Sequence, residues 1–354
     1  MQIDGHHTLT YVLSRMVGFE HREANIIAHA AQYVDDATNS GNIEFTNGAM
    51  FSRISSAHTM EVYDMKYYLN AHENHLVWVP FHFLPGNDGK HSGEYVAGSF
   101  IRKLICKPYS PVADDILDAC INDLDKPYSL HRLGITMHVF ADTFAHQGFA
   151  GVVHNVNKVK NLECHNYDMD FFDSLKSKAL SRKFPMGHGP ALTCPDMPFL
   201  KWSYTNGLGE NVNRDNLEIF MSACNNLIGQ LGRYLVDNGG VMKDTLPSDI
   251  EQIKKNFETF RSDDENVRHD KWLSSISNGE FSFGPVDLEY IGKGEGSWKH
   301  KSINQIHSVD QEEDVFEFSD EFMDSDWRLF HVALKAHRFD LINNILPKYG
   351  MCVS

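Results

Sequence analysis

The sequence predicts a mainly α-helical protein with long loops. Apolar residues recur at helical spacing in many segments, proline and glycine are concentrated between those segments, and one segment alternates aromatic with polar residues. The first pattern is typical of amphipathic helices, the second of irregular connections and the third of a short hairpin. A chain of 354 residues can bury one large helical core with additions to it.

The first half is predicted to alternate helices with polar loops. Gly, Asn and Ser are frequent over residues 40–56, and Pro80, Pro85, Gly86 and Gly89 interrupt the segment 75–94, so we expect loops there. Helices are predicted over residues 8–18, 22–36, 60–70, 94–106, 111–124 and 129–147.

The second half is predicted to be helical with two irregular segments. The alternation between glycines over residues 278–300 is compatible with a small β-hairpin or a lid. We expect residues 1–262 to form a helical core, which carries every candidate site residue named below, and residues 263–354 an acidic C-terminal extension packed on that core. Helices are predicted near residues 168–181, 214–238 and 246–261, and an irregular segment over 184–202.

The formal net charge of −16 argues against nucleic acid as a partner. Proteins that bind nucleic acid through many phosphate contacts present clustered Lys and Arg. No stretch approaches the roughly 20 apolar residues of a membrane span, and the first residues lack the pattern of a signal peptide. We therefore expect a cytoplasmic protein, or one exported or delivered to a host cell without a cleaved signal peptide.

Three residues of the run HVFADTFAHQGF are the strongest candidates for a metal site. His138, Asp142 and His146, which we call the ladder, are spaced four residues apart. On an α-helix they span roughly 80° of one face and about 12 Å of length. Zinc–ligand bonds of about 2.0 to 2.2 Å cannot reach both ends from a single ion. A carboxylate has two oxygens and can bridge, so the spacing predicts at least two ions with Asp142 between them.

The residues around the ladder favour ligands over ordinary polar groups. Val139, Phe140, Ala141, Phe144 and Ala145 are apolar, which predicts a broadly buried helix. Burying two histidines and an aspartate without partners would be unfavourable. Metal ligation is therefore the preferred interpretation.

Further ligands must come from other segments. Neighbouring helical residues point about 100° apart, so only one of His6 and His7, and only one of Asp35 and Asp36, can face the site. His7 is preferred for the residues that share its helix face, and the pattern does not choose between the two aspartates. Both aspartates therefore remain candidate metal ligands, Asp36 among them. Further candidate ligands are His58, for which an exposed loop position is the alternative, His82, His188 and Asp196.

Six segments resemble the zinc-dependent phospholipases C, most closely the bacterial branch of the Pseudomonas fluorescens type. HxxxDxxxHQGFAG is the most specific pattern, and the resemblance spans roughly residues 3–204. More distantly, the chain is similar to the clostridial α-toxin and the P1-type nucleases, which are all-helical proteins with a trimetal zinc site. The resemblance implies a helical core of this kind holding two or three zinc ions. The segments are HHTLTYVL, AQYVDDATN, SSAHTM, HFLPGN, HVFADTFAHQGFAG and GHGPALTCPDMPFLKW.

The resemblance assigns roles to individual positions. The aspartate that binds metal and orients the attacking water corresponds to Asp35 or Asp36. The remaining matched ligands are His7, His82, His138, Asp142 and His188.

The sequence departs from the distant relatives at three positions. They begin with a mature tryptophan, whereas this chain begins with Met1. Leu192 stands where they have a glutamate, which leaves Asp196 as a substitute. His146 also follows Asp142 more closely than its counterpart does.

These observations predict a zinc-dependent phosphodiester hydrolase. The preferred reaction is phospholipase C hydrolysis of phosphatidylcholine or a related phospholipid, with transient membrane contact. Zinc ions would neutralise the phosphodiester, so no basic groove is needed. One alternative is a nuclease or small-molecule phosphodiesterase with the same metals. Another is a non-catalytic interaction protein that metal stabilises.

Overall fold

The computed structural model describes residues 1–58, 71–168, 185–303, 315–316 and 318–352, with the backbone alone described for residues 71–74 and 315. These ranges contain eleven α-helices and two three-stranded sheets. The prediction of a mainly α-helical protein is therefore confirmed.

The first helix begins with turns that are wider than those of an α-helix. The π-helical segment Asp4–Leu9 continues into α1 (Thr10–Val17), and Gly18 ends the helix with φ at +121°. Helix α2 (His21–Asp36) starts at a capping box on Glu20. Because π-helical hydrogen bonds join residues five apart, side chains in the first turns do not follow α-helical spacing.

The loop predicted over residues 40–56 contains a β-hairpin instead. Strand β1 (Gly41–Phe45) pairs antiparallel with β2 (Met50–Arg53), and buried and exposed residues alternate along both. The intervening turn contains Asn47 and Gly48, a dipeptide that favours tight hairpins. The sequence predicted a loop here because polar residues are frequent. The alternation of buried and exposed residues extends over only four or five residues per strand, too few to indicate a strand.

The next segment was predicted to be irregular, and its first part is helical. Helix α3 (Ala71–Phe81) has Pro80 in its last turn. Proline cannot donate the backbone hydrogen bond to the carbonyl four residues before it, and it disfavours continuation of a helix. The helix accordingly ends at Phe81, one residue after Pro80. The predicted helix over 94–106 is reduced to α4 (Ile101–Leu104), followed by α5 (Pro111–Ile121) and α6 (Ser129–Ala145).

Helix α6 runs through the centre of the core against α2. A Cβ atom at Gly134 would lie 2.3 Å from the Ile27 oxygen and 2.7 Å from the Ala30 Cβ. Only glycine allows two helices to approach so closely at this point. The contact fixes the C-terminal end of α2 relative to the middle of α6.

The rest of the described chain adds a second sheet and five helices. Strands β3 (Lys160–Cys164), β4 (Lys201–Thr205) and β5 (Asn211–Asp215) form an antiparallel sheet in that order. A short strand, β6 (Val315–Phe316), adds parallel to β1. The five helices are α7 (Asn216–Asp237), α8 (Pro247–Thr259), α9 (Glu265–Ser277), α10 (Trp298–Ile303) and α11 (Asp326–Phe339).

The structure differs from one prediction in this half, and it does not describe two helices predicted along the chain. All of residues 278–300 are described and none of them is in a strand, so a hairpin there is wrong. The segment is irregular up to α10. The helix predicted over 60–70 lies wholly outside the described residues, and that over 168–181 is described only at residue 168.

Residues from both ends of the chain share one hydrophobic core. Its buried members include Met1 and Leu13 near the start and Trp272, Leu341 and Met351 near the end. Residues after 262 therefore pack with the helices before it, and the domain boundary at that position remains a prediction. Within the described residues, we find no helix long and apolar enough to cross a membrane.

Candidate metal centre

Helix α6 holds the ladder in the protein interior. His138, Asp142 and His146 are all buried. His146 is the C-cap of the helix, and its backbone N–H donates to the backbone carbonyl oxygen of Asp142 over 2.8 Å. Four segments bring further histidines and aspartates to this face. We define the His/Asp cluster as His6, Asp35, His82, His138, Asp142, His146, His188 and Asp196.

One group of donors lies at the His138 end of the ladder. His82 Nδ1 and His138 Nε2 are each 3.3 Å from Asp142 Oδ2 and 3.3 Å from one another. His82 immediately follows α3 at the start of the loop, so its position depends on where that helix ends. These three residues can hold one metal ion.

His6 and Asp35 extend this end of the cluster. His6 Nε2 is 3.2 Å from Asp142 Oδ1 and 3.9 Å from Asp35 Oδ2, and the His6 ring stacks on His138 at 3.7 Å. Neither ring nitrogen of the buried His6 has a hydrogen-bond partner within the described part of the chain. His6, Asp35 and His138 form a second potential ligand set.

A third group lies at the other end of the ladder. His146 Nε2 is 3.2 Å from Asp196 Oδ1, and His188 Nε2 is 3.5 Å from Asp196 Oδ2. Asp196 belongs to a 3₁₀ turn, Cys194–Asp196, which follows the loop carrying His188. These three residues can also hold a metal ion.

Backbone carbonyls fix which nitrogen of each ring carries the proton. A carbonyl oxygen only accepts, so the ring nitrogen that contacts it must be the donor, and the other nitrogen of a neutral ring keeps its lone pair. In proteins this arrangement orients metal-binding histidines. The bonds are His138 Nδ1 to Ala31 O (2.8 Å), His82 Nε2 to Ser56 O (2.8 Å), His146 Nδ1 to His82 O (2.9 Å) and His188 Nδ1 to Leu192 O (2.9 Å).

The carbonyl that orients His188 depends on an unusual backbone conformation. Leu192 has φ +59° and ψ −139°, a region that residues with a Cβ atom rarely adopt. Strain of this kind persists where the surrounding structure imposes it, and it is frequent at functional sites.

The free ring nitrogens of His82 and His138 face each other with no ring proton between them. Burial is the main reason that the pKa values of His138 and His188 fall to about 4, so both rings are neutral near pH 7. Neutral imidazole is the form that binds metal. With their protons committed to carbonyls, His82 Nδ1 and His138 Nε2 present lone pairs to each other, an arrangement that a cation would stabilise.

The carboxylates also indicate a need for positive charge. Burial and the neighbouring Asp142 raise the pKa of Asp35 well above its ordinary value. Burial acts in the same direction on Asp142, but His146 and the Met1 ammonium group hold its pKa well below the ordinary value. Close, buried carboxylates cannot all ionise without a compensating cation.

The α-amino group of Met1 supplies part of that charge. Its nitrogen is 2.5 Å from Asp142 Oδ1, 3.3 Å from Asp196 Oδ1 and 3.4 Å from His146 Nε2. Burial lowers its pKa, but Asp142 and Asp196 raise it more, to about 10. One ammonium group opposes three carboxylates, so the donor set fits additional cations.

The cluster opens on a pocket of about 220 Å³. Asp35, His82, Asp142, His146 and His188 line its polar side. Asp35 is 32% exposed, whereas Asp142 is 1% exposed, so Asp35 is the more accessible of these two carboxylates. Ala57, His58, Trp78 and Phe83 also line the pocket.

The structure differs from the sequence predictions at the two neighbouring pairs. His6 faces the cluster, whereas His7 Nδ1 lies 2.9 Å from His269 Nε2 on another side of the helix. Asp35 faces the cluster, whereas Asp36 Oδ2 accepts hydrogen bonds from the Tyr290 hydroxyl (2.5 Å) and from Gln32 (3.3 Å). His7 and Asp36 therefore do not belong to the ligand groups.

The other predicted residues lie at or beside the cluster. His82, His188 and Asp196 belong to the ligand groups with the ladder. His58 lines the pocket but is in none of the groups that the described residues form.

Sequence reasoning missed a residue that supports the ladder from outside. Arg214 is buried, and its guanidinium donates to the carbonyl oxygens of Phe144 (3.2 Å), Ala145 (2.8 Å) and Gln147 (3.1 Å). These carbonyls flank His146 at the end of α6. An arginine in a strand carries no sequence signal of such a long-range contact.

The fold and this site define a mainly α-helical protein with buried His/Asp groups that can hold metal ions. The chain belongs to a family described as Family of unknown function (DUF6765), whose model matches residues 1–345. No curated protein and no solved structure matches it.

Proposed function

We propose that this protein is a zinc-dependent phosphodiester hydrolase whose substrate is phosphatidylcholine or a related phospholipid. The observation that carries the proposal is the linkage of donor groups through Asp142. Its Oδ2 lies 3.3 Å from both His82 and His138, and its Oδ1 lies 3.2 Å from His6. His146 extends the set to Asp196. Two or three adjacent ions can be held in this way.

The donor chemistry favours zinc. The potential ligand groups combine imidazole nitrogens with carboxylate oxygens, and they contain no cysteine among the described residues. Zinc accepts such mixed sets, whereas calcium and magnesium prefer oxygen ligands throughout. Bound zinc ions would lower the pKa of water and stabilise the phosphodiester charge during hydrolysis.

Asp35 is the residue that we assign to the attacking water. It is a cluster carboxylate that is accessible from the pocket, and its Oδ1 is 3.7 Å from His82 Nδ1. From this position the carboxylate can accept a hydrogen bond from a water molecule and orient it towards a phosphorus atom. The buried Asp142 cannot do this, because its two oxygens face the histidines and the Met1 amine.

The pocket wall supports a phospholipid over a nucleic acid. Trp78 and Phe83 provide aromatic surface beside the cluster. An aromatic face attracts a quaternary ammonium group such as that of choline. The net charge of −16 disfavours a polynucleotide, whose binding depends on clustered basic residues. The resemblance to zinc-dependent phospholipases C supports the same choice.

A purely structural metal site is the less favoured alternative. Structural zinc is usually closed by four protein ligands, often cysteines. Here the cluster opens on a pocket, and a carboxylate faces it.

The proposal is tested by activity on three substrates with and without a chelator: phosphatidylcholine, single-stranded DNA and a small soluble phosphodiester. We expect hydrolysis of phosphatidylcholine and of the soluble ester, both lost with chelator and restored by zinc. Cleavage of DNA without cleavage of lipid would overturn the substrate, and no chelator-sensitive activity on any of the three would overturn the hydrolase.

A further inference from the structure

Exposed aromatic side chains are concentrated in one segment. Among the described residues, four Phe, Tyr or Trp side chains are strongly exposed: Tyr95 (83%), Phe100 (53%), Tyr109 (63%) and Phe339 (60%). Three of these four lie between residues 95 and 109. Large exposed apolar side chains that are concentrated in one segment favour an interaction site there.

The same segment carries positive charge on a strongly acidic protein. We define residues 88–109 as the docking segment. It contains four Lys or Arg residues and two acidic residues, so its net charge is +2, against −16 for the whole chain. The acidic residues are Asp88 and Glu94, and the basic residues are Lys90, Arg102, Lys103 and Lys107.

Part of this charge is already in contact with protein atoms. Lys107 Nζ is 3.4 Å from Asp88 Oδ1, so this pair is largely neutral. Lys103 Nζ donates to the Tyr349 carbonyl oxygen over 2.7 Å, which leaves its charge uncompensated. Lys90 is exposed and Arg102 is half-buried, and neither forms an ion pair within the described residues.

The docking segment is attached to the loops that carry cluster histidines. Gly86, four residues after His82, donates its backbone N–H to the Ile105 carbonyl oxygen over 2.9 Å. Cys106 N donates to Phe149 O over 2.7 Å, three residues after His146. A partner bound to the docking segment would therefore contact a part of the chain that is hydrogen-bonded to residues near His82 and His146.

We propose that the docking segment binds the surface of an anionic lipid membrane. Aromatic side chains favour the interface between headgroups and acyl chains, and basic side chains are attracted to anionic headgroups. Charges farther away than about 8 Å are screened at physiological ionic strength, so the net charge of −16 on the whole chain does not by itself prevent this contact. This inference rests on the proposed function, because membrane binding would bring the lipid substrate to the His/Asp cluster.

Co-sedimentation with vesicles tests the docking segment directly. We expect the wild-type chain to bind vesicles of phosphatidylcholine with phosphatidylglycerol about tenfold or more tightly than vesicles of phosphatidylcholine alone, from about fivefold per net charge. Replacing Tyr95 and Phe100 together by serine should weaken binding by about tenfold or more, because two apolar side chains no longer enter the interface. Replacing Lys90 and Arg102 by glutamine should weaken binding to the anionic vesicles alone.

Phe339→Ser is the matched control, since Phe339 is as exposed as Phe100 but lies outside the segment. It should leave vesicle binding unchanged. Absence of wild-type binding to both vesicles, or equal losses in Phe339→Ser and in the Tyr95/Phe100 double variant, would overturn the proposal.

The soluble phosphodiester separates this proposal from the proposed function. The docking variants should hydrolyse it as the wild type does. If the wild type binds vesicles but hydrolyses none of the substrates, the proposed hydrolase function is wrong and the proposal of membrane binding is supported. If it hydrolyses the soluble ester but does not bind vesicles, the docking segment fails and the hydrolase stands.

Discussion

Two groups of histidines, one reached by His6 and the other by His7 of the first helix, differ in what their ring nitrogens contact. In the His/Asp cluster, the rings face carboxylates and each other's lone pairs. In the second histidine group, defined as His7, His29 and His269, His7 bonds to His269 and the His29 ring stacks on Trp298 at 3.8 Å. No ligand set is found there among the described residues.

Burial alone does not separate the two groups. It lowers the pKa of His29 to about 3 and that of His7 well below its ordinary value, just as it lowers the pKa of His138. The cluster is distinguished by converging carboxylates and by carbonyls that fix the ring protons. A metal site is therefore indicated by the pairing of its donors, not by a count of histidines.

The largest expected difference between the two groups is the effect of replacing Asp142 on metal binding. We expect Asp142→Asn to weaken metal binding by about 100-fold or more, beyond the loss caused by outer residues, because the carboxylate links the donor groups. Metal content measured after gel filtration is the readout. Wild-type metal content in Asp142→Asn would contradict the bridging position.

The adjacent residues His6 and His7 give the closest matched pair. His6→Ala should lose metal, whereas His7→Ala should keep it and lose about 1–3 kcal/mol of unfolding free energy, because its buried partner His269 is left unpaired. Metal analysis and urea unfolding measure the two effects. The reverse pattern would mean that His7, and not His6, faces the cluster.

His6 and His7 also show which part of the site could be predicted from the sequence and which could not. The ladder was predictable because α6 is a regular helix, so a spacing of four residues gives one face. The first helix is π-helical over Asp4–Leu9, so the α-helical spacing that selected His7 does not apply there.

Other parts of the site depended on contacts that sequence spacing does not contain. Asp35 and Asp36 close α2 side by side, and the choice between them depends on Tyr290, more than 250 residues away. The hairpin of β1 and β2 was missed for a related reason, since its pairing with β6 comes from distant residues.

Arg214 should have a smaller effect on the cluster than its ligands do. We expect Arg214→Met to weaken metal binding by about 10–100-fold, the range for residues that orient ligands, because the carbonyls around His146 lose their donor. Arg233→Met is the control, since Arg233 pairs with Asp118 on the surface. Competition with a fluorescent zinc chelator measures the affinities, and equal values for the two variants would contradict the assignment.

The smallest expected effect is the contribution of His29 to stability at low pH. Its pKa is about 3 in the folded chain and near 6.5 when unfolded, so the unfolded state binds the additional proton. Between those values stability falls as pH falls, by up to about 1.4 kcal/mol per pH unit for one group. His29→Phe should reduce the slope by that amount.

Urea unfolding at several pH values between 6.5 and 4.5 measures this slope, with chelator present so that metal loss adds nothing. Phe keeps an aromatic ring against Trp298. Identical slopes for the variant and the wild type would show that His29 is not buried in its neutral form.

The number of metal ions per chain tests the central claim most directly. Elemental analysis of the purified wild-type protein, with protein concentration from amino-acid analysis, should give two or three zinc ions per chain. A value below two would contradict a cluster in which Asp142 joins adjacent ions.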